Sequence, residues 1–201
     1  MLKGYYFITD PDLSHAGIFS DVRNALRAKV KVIQYRNKCA SARQMFEEAR
    51  KLRKICRNVK FLINDRVDIA LSVNADGVHL GKDDLSYAVA RKILGRKKII
   101  GLTVHTVKDA IEAQRAGADY IGVSAIFATA TKIDAGRPVG TSLIKEIRKH
   151  VTIPIVAIGG INLSNAKQVI QAGADAVCAI SAVVSKPDVR KEIEEFQRLF
   201  K

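Results

Sequence analysis

The sequence predicts an α/β fold, a closed (β/α)8 barrel, on three observations. Short apolar runs rich in Val, Ile and Leu recur eight times, at 5–9, 32–35, 61–63, 77–80, 99–104, 120–125, 155–158 and 176–180. They are continuous rather than alternating, as in parallel strands covered on the outside by helices. Between them lie longer segments with helical spacing, such as Phe46, Ala49, Leu52 and Ile55, or Ala110, Ile111 and Ala113. Finally, Ala-Gly-Ala-Asp occurs at 116–119 and again at 172–175, each time between a helical segment and the next run, with 75–77 a partial third copy. One βα unit repeated eight times fits a closed barrel better than its main rival, an open doubly wound sheet.

The elements follow in order. Met1-Leu2-Lys3-Gly4 leads straight into the first run, so no signal peptide is visible. The second ends in Gln34-Tyr35-Arg36-Asn37-Lys38. Its helix carries Arg43, Arg50, Lys51, Arg53, Lys54 and Arg57, which read as a solvated face. The third run ends at Asn64-Asp65, where Asp65 suits either a metal or the N-cap of a helix over 66–71. The fourth ends in His79-Leu80-Gly81-Lys82-Asp83-Asp84, and its helix carries Arg91, Lys92, Arg96, Lys97 and Lys98. The fifth ends at Thr103, with His105 beyond it placed to orient a neighbour. Gly117 and Gly173 suit helix C-caps. The sixth leads into Ile126-Phe127-Ala128-Thr129-Ala130-Thr131-Lys132 and then a Gly-containing stretch to Gly140 that reads as a mobile lid. The seventh is followed by Gly159-Gly160-Ile161-Asn162, and the eighth by Ile180-Ser181-Ala182.

At 201 residues the chain supports one sizeable core, and no Pro- or Ser-rich linker divides it, so 1–201 reads as a single catalytic domain. No apolar run approaches the roughly 20 residues of a membrane helix. Three cysteines, an odd number without CxxC spacing, argue against a disulfide framework or a zinc site. Cys178, inside an apolar run, reads as a buried small hydrophobe, and the cytoplasm is the simplest compartment. The net charge of +14 is compatible with nucleic acid, an anionic surface or anionic small substrates. With no Trp and no aromatic residues between the basic ones, single-strand binding is poorly supported.

In a barrel of this kind the reacting groups lie where strands end and βα loops begin. Gln34 and Arg36 share parity, so both point to the same side of their strand. An inward Arg beside Lys38 is costly without an anionic partner. Arg grips phosphate oxygens bidentately, and Lys adds a point charge. Asp65 and Asp84 fall at adjacent strand ends. Magnesium takes one or two carboxylates and completes its shell with phosphate oxygens and water. Cations and carboxylates together therefore suggest magnesium holding a pyrophosphate. Thr129, Thr131 and Lys132 suit an anion-binding loop. Gly160 and the residues after the eighth run lie at the usual phosphate site of the fold.

Taken as a set, these residues resemble thiamine phosphate synthase. The resemblance rests on Gln34-Tyr35-Arg36-Asn37-Lys38, Leu62-Ile63-Asn64-Asp65-Arg66, Gly77-Val78-His79-Leu80-Gly81, Asp84-Leu85, Gly101-Leu102-Thr103-Val104-His105-Thr106, Asp119-Tyr120-Ile121-Gly122-Val123, Thr129-Ala130-Thr131-Lys132 and Ala157-Ile158-Gly159-Gly160-Ile161. It implies a transferase of thiamine biosynthesis that joins a pyrimidine diphosphate to a thiazole phosphate, with Mg2+ as cofactor. It assigns the pyrimidine and its pyrophosphate to Gln34, Arg36, Lys38 and Asn64, and magnesium to Asp65 and Asp84. The thiazole phosphate falls to Thr129, Thr131, Gly160, Ile180 and Ser181, and Lys132 reaches the pyrophosphate. Tyr6 and His79 become pocket wall. Thr103 stands where the family usually has Ser. Two departures are visible: Ala128 replaces a Pro of the loop, and Ser124-Ala125 replaces Gly-Pro. The implied partners are small molecules, not nucleic acid or membrane, and a homo-oligomer stays open. A thiazole tautomerase, with a similar barrel, does not need the diphosphate grip.

Overall fold

In a computed structural model, residues 2–129, 131 and 137–201 are described. Eight parallel strands close on themselves in chain order, as the runs predict. They are β1 (Gly4–Ile8), β2 (Val32–Tyr35), β3 (Lys60–Asn64), β4 (Gly77–Leu80), β5 (Ile99–Val104), β6 (Tyr120–Val123), β7 (Ile155–Ile158) and β8 (Ala176–Cys178). Closure is direct, with Gly4 paired to Ala176 and Tyr5 to Val177.

The outer ring is α1 (Ile18–Arg27), α2 (Ala42–Ile55), α3 (Val67–Ser72), α4 (Tyr87–Leu94), α5 (Val107–Ala116), α6 (Gly140–Arg148) and α7 (Ala166–Gln171), then a short α8 (Ser181–Val184) and α9 (Val189–Arg198). Local sequence starts and stops these helices. Ser41 caps α2 through Gln44 N, and α2 buries Met45, Ala49 and Leu52 on one stripe. Thr106 and Asp109 cap α5 reciprocally, and Gly117 ends it in a left-handed conformation. At α7 the helix stops one residue earlier than expected, at Ala172, and Gly173 takes the positive φ just beyond.

Among the described residues the buried side chains form two cores. The larger lies between strands and helices and takes the odd residues of the early strands, such as Phe7, Ile33, Tyr35, Phe61 and Ile63. The smaller fills the barrel interior with Tyr6, Ile8, Val32, Leu62, Tyr120, Val156, Ala176 and Cys178. Inward glycines make room there. A Cβ on Gly101 would lie 2.1 Å from Tyr120 Cζ, and one on Gly122 would lie 3.0 Å from His79 Cε1.

The repeated Asp does similar work three times at the strand-start rim. Asp76 Oδ2 accepts from Phe61 N at 2.8 Å and Arg53 Nη1 at 3.1 Å. Asp119 Oδ2 accepts from Ile100 N and Arg91 Nη2, both at 2.8 Å. Asp175 Oδ2 accepts from Ile155 N at 2.8 Å and Arg148 Nη2 at 2.5 Å. In each case the Asp N–H returns a bond to the carbonyl of the same strand residue, at 2.8–2.9 Å. Each clamp therefore joins a helix end to two successive strands. Two arginines expected on solvated faces, Arg53 and Arg91, are half-buried clamp partners instead. Among the described residues no helix is long and apolar enough to cross a membrane.

Candidate active site

Parallel strands end on one rim, and a cavity of about 1060 Å³, counted with its open mouth, sits there. It is lined by Gln34, Arg36 and Lys38 after β2, Asn64 and Asp65 at β3, His79 in β4 and Asp84 beyond it, and Thr103 in β5. Thr129, Thr131, Gly160, Ile180 and Ser181 line it from the β6–β8 side. So the structure brings the site residues expected from sequence to one cavity, with two exceptions: Lys132 lies outside the described residues, and Tyr6, expected as pocket wall, is buried in the barrel interior beneath the cavity instead. The lid expected up to Gly140 falls partly on the same undescribed stretch.

Asp65 sits in the left-handed region, φ 61°, unusual for a residue with a Cβ. The turn aims its carboxylate at Lys38, whose Nζ donates to Oδ2 at 2.5 Å. It does not cap α3: the N-cap there is Arg66, without a side-chain bond. Nor does Asp84 cap α4, where Ser86 holds that place. Asp84 Oδ2 instead accepts from Gly81 N at 2.6 Å. Burial, and then the neighbouring Asp65 carboxylate, raise the Asp84 carboxyl above its ordinary value. The Gly81 N–H and Lys38 oppose this by less. Two carboxylates this close repel unless a proton or a cation lies between them. This donor set fits magnesium, which needs one or two carboxylates and takes the remainder from phosphate and water.

Arg36 is steered by residues the sequence reading missed. Its Nη1 donates to Asp10 Oδ2 at 2.7 Å, and its backbone N donates to Thr9 Oγ1 at 2.8 Å. Thr9 donates back to Arg36 O at 2.9 Å. Thr9 and Asp10 follow β1 directly, so the strand-end rule that found the others reaches them too.

On the opposite side the loop is anchored at both ends. Phe127 N donates to Gly159 O at 3.0 Å, Val139 N to Ala125 O at 2.9 Å and Gly140 N to Ile126 O at 3.0 Å. Thr131 N donates to Thr129 Oγ1 at 3.2 Å. Gly160, φ 62°, lets the backbone pass close beneath this loop. His105 Nδ1 lies 2.7 Å from Ser124 O. The Ser124–Ala125 peptide, where the family pattern has Gly-Pro, is cis. Cys178 is fully buried at the pocket floor, and burial pushes its thiol pKa up.

Comparison with known proteins decides the family. A family model described as thiamine monophosphate synthase matches residues 5–183. The chain belongs to the thiamine monophosphate synthase family. Within that family it is 53% identical over 193 residues to the thiamine-phosphate synthase of Methanosarcina mazei, covering 96% of this chain and 80% of the relative. It is 49% identical to that of Methanosarcina barkeri, covering 96% and 88%. The solved thiamine phosphate pyrophosphorylase of Pyrococcus furiosus superposes with a TM-score of 0.91 at 42% identity, covering 99% of this chain and 95% of that one. A thiamine phosphate pyrophosphorylase of Bacteroides thetaiotaomicron, at 16% identity and TM-score 0.71, shares the fold. Like its family, this chain is an enzyme of the transferase class.

Proposed function

We propose that this chain couples 4-amino-2-methyl-5-(diphosphooxymethyl)pyrimidine to 4-methyl-5-(2-phosphooxyethyl)thiazole, giving thiamine phosphate and pyrophosphate. The observation that carries the reading is the division of one pocket. Arg36, Lys38, Asn64, Asp65 and Asp84 meet on the β2–β4 side. Two threonines, Gly160 and Ser181 line the β6–β8 side, across the closed ring. One wall suits a diphosphate with a cation, and the other a monophosphate.

In this reading the C–O bond between the pyrimidine methylene carbon and the diphosphate breaks, and its electron pair leaves with pyrophosphate. The thiazole nitrogen lone pair forms the new C–N bond. The aminopyrimidine delocalises positive charge, so departure precedes attack. No covalent nucleophile is needed; the protein positions the reactants and meets developing charge. Arg36 and Lys38 face the leaving diphosphate, with Asp10 fixing the Arg36 fork. Lys132 is assigned to the same group. Asp65 and Asp84 hold magnesium, whose charge offsets that of the leaving group. Thr129, Thr131, Gly160, Ile180 and Ser181 hold the thiazole phosphate. Gln34, Asn64, His79 and Thr103 hold the pyrimidine, and the chain works as one catalytic domain in the cytoplasm.

The test is pyrophosphate release from both substrates together, with and without magnesium. Release that needs both substrates and the metal supports the reading. Asp65→Asn should lower turnover by several orders of magnitude in a folded protein, and near-normal turnover at saturating magnesium would count against its role.

A further inference from the structure

Beneath the pocket, five side chains from five strands form one hydrogen-bonded line. Gln34 Nε2 donates to Tyr6 Oη at 2.8 Å. Tyr6 Oη lies 2.8 Å from Tyr120 Oη. Tyr120 Oη lies 2.9 Å from His79 Nδ1, and His79 Nε2 lies 2.9 Å from Thr103 Oγ1. Gln34, Tyr6 and Tyr120 are at most 2% exposed. Gln34, His79 and Thr103 line the pocket, whereas Tyr6 and Tyr120 do not.

Counting protons gives the line a direction. Each phenol carries one proton and stays protonated, because burial raises both phenol pKa values. Tyr6 accepts from Gln34, so its single proton has Tyr120 as its acceptor. Tyr120 then accepts from Tyr6, and its own proton goes to His79 Nδ1. A nitrogen that accepts carries no proton, so the ring proton of neutral His79 is on Nε2 and points at Thr103 Oγ1. Thr103 accepts there, which leaves its hydroxyl proton for the pocket. The opposite sense, with Gln34 still donating, strands the Tyr6 proton in the barrel interior at a cost of about 1–3 kcal/mol.

We propose that Tyr120, although outside the pocket, is a positioning residue that fixes His79 in its Nε2–H form and thereby makes Thr103 a hydrogen-bond donor to an acceptor atom of the pyrimidine substrate. The role at the substrate rests on the function proposed above; the direction of the line does not. Gly101 and Gly122 admit the Tyr120 and His79 rings at their backbones, so the interior is shaped around this contact.

Two measurements test this. The first is the tautomer of His79 in the substrate-free protein, read from the ring-nitrogen resonances of histidine-labelled protein at mildly alkaline pH and assigned with His79→Asn. Protonated Nε2 and bare Nδ1 are expected, with Tyr120→Phe weakening that bias. A wild-type Nδ1–H form overturns the direction. The second is a kinetic cycle. Thr103→Val and Tyr120→Phe should each lower kcat/KM for the pyrimidine diphosphate about tenfold, the scale of one lost hydrogen bond. The double variant should be no worse than Thr103→Val alone, and Thr103→Ser should retain activity. Losses that multiply would show that Tyr120 acts only through packing. If Tyr120→Phe does not fold, the wild-type tautomer still decides the direction of the line, and Thr103→Val against Thr103→Ser still tests the Thr103 donor at the substrate. If the wild type releases no pyrophosphate, the functional reading fails, while the tautomer still decides the direction of the line.

Discussion

Gly160→Ala is the most informative single substitution at this site. Gly160 has φ 62°, and an added Cβ would lie 2.4 Å from Ala128 O, 2.8 Å from Phe127 Cβ and 3.0 Å from Phe127 C. The left-handed conformation alone costs an alanine about 1–2 kcal/mol. A carbon and a carbonyl oxygen rest at about 3.3 Å or more, so Ala128 must retreat by about 1 Å. Ala128 leads directly into Thr129, and the loop is pinned at Phe127 and Val139, so the shift is passed to Thr129 and Thr131. Misplacing binding groups by about 1 Å costs up to about 100-fold. We therefore expect a Tm lowered by roughly 2–8 °C. The KM for thiazole phosphate should rise at least about tenfold, with that for the pyrimidine diphosphate nearly constant. Thermal unfolding by circular dichroism and initial rates with each substrate varied in turn would measure both. An unchanged Tm with unchanged kinetics would refute the steric argument, and an equal rise in both KM values would refute the division of the pocket.

Two further outcomes are expected. Asp119→Ala strands the Ile100 N–H and removes the carboxylate partner of Arg91, which keeps its bonds to Tyr87, Gly95 and Lys98, so it should cost about 1–3 kcal/mol and lower Tm by several degrees. Activity in the cold should be retained, because the clamp is on the rim away from the pocket; a loss of activity with unchanged Tm would contradict this. Asp21 is buried in the first turn of α1; among the described residues no well-formed hydrogen bond reaches its carboxylate oxygens, although Ser14 lies near enough to favour the charged form. Burial raises its pKa, with Ser14 and His15 opposing by less. The folded state thus holds this proton more tightly than the unfolded chain does. Stability should fall as pH rises from the ordinary carboxylate value, about 3.9, through the raised folded value, and stay reduced at neutral pH. Asp21→Asn should recover about 1 kcal/mol at neutral pH and flatten that slope. Melting curves across the acid range would show it, and a lower Tm at neutral pH would show that the carboxylate has a partner after all.

The ring of strands was legible because each strand is buried on both faces, which leaves an unbroken apolar run, and because turn residues repeat between them. Gln34, Asp65, Asp84, Thr129 and Gly160 were legible because reacting groups follow strand ends. That rule is blind to Tyr120, which opens β6, at the far end of the strand from the mouth, and reaches His79 only through the barrel's stagger. It left the role of Asp65 open between cap and ligand, since both uses place Asp before a helix; the left-handed turn decides against the cap. Arg53 and Arg91 looked like ordinary helix charges because their acidic partners lie 23 and 28 residues further on.

The three clamps also bear on the order in which the ring assembles. Their Arg–Asp spans are 23, 28 and 27 residues, whereas the Tyr5 hydroxyl that joins β1 to the end of β8 reaches Ala179 O across 174. Closing the longer loop costs roughly 2 kcal/mol more chain entropy. Three strand pairs can therefore become tied in the open chain, while the seam between first and last strands gains its contacts only when the circle shuts. We expect substitutions at the clamps to slow folding, and substitutions at the seam mainly to hasten unfolding, a difference that φ-values at Asp119 and Tyr5 would measure. The same small acidic repeat that marks the chain as modular would then set the sequence in which its modules join.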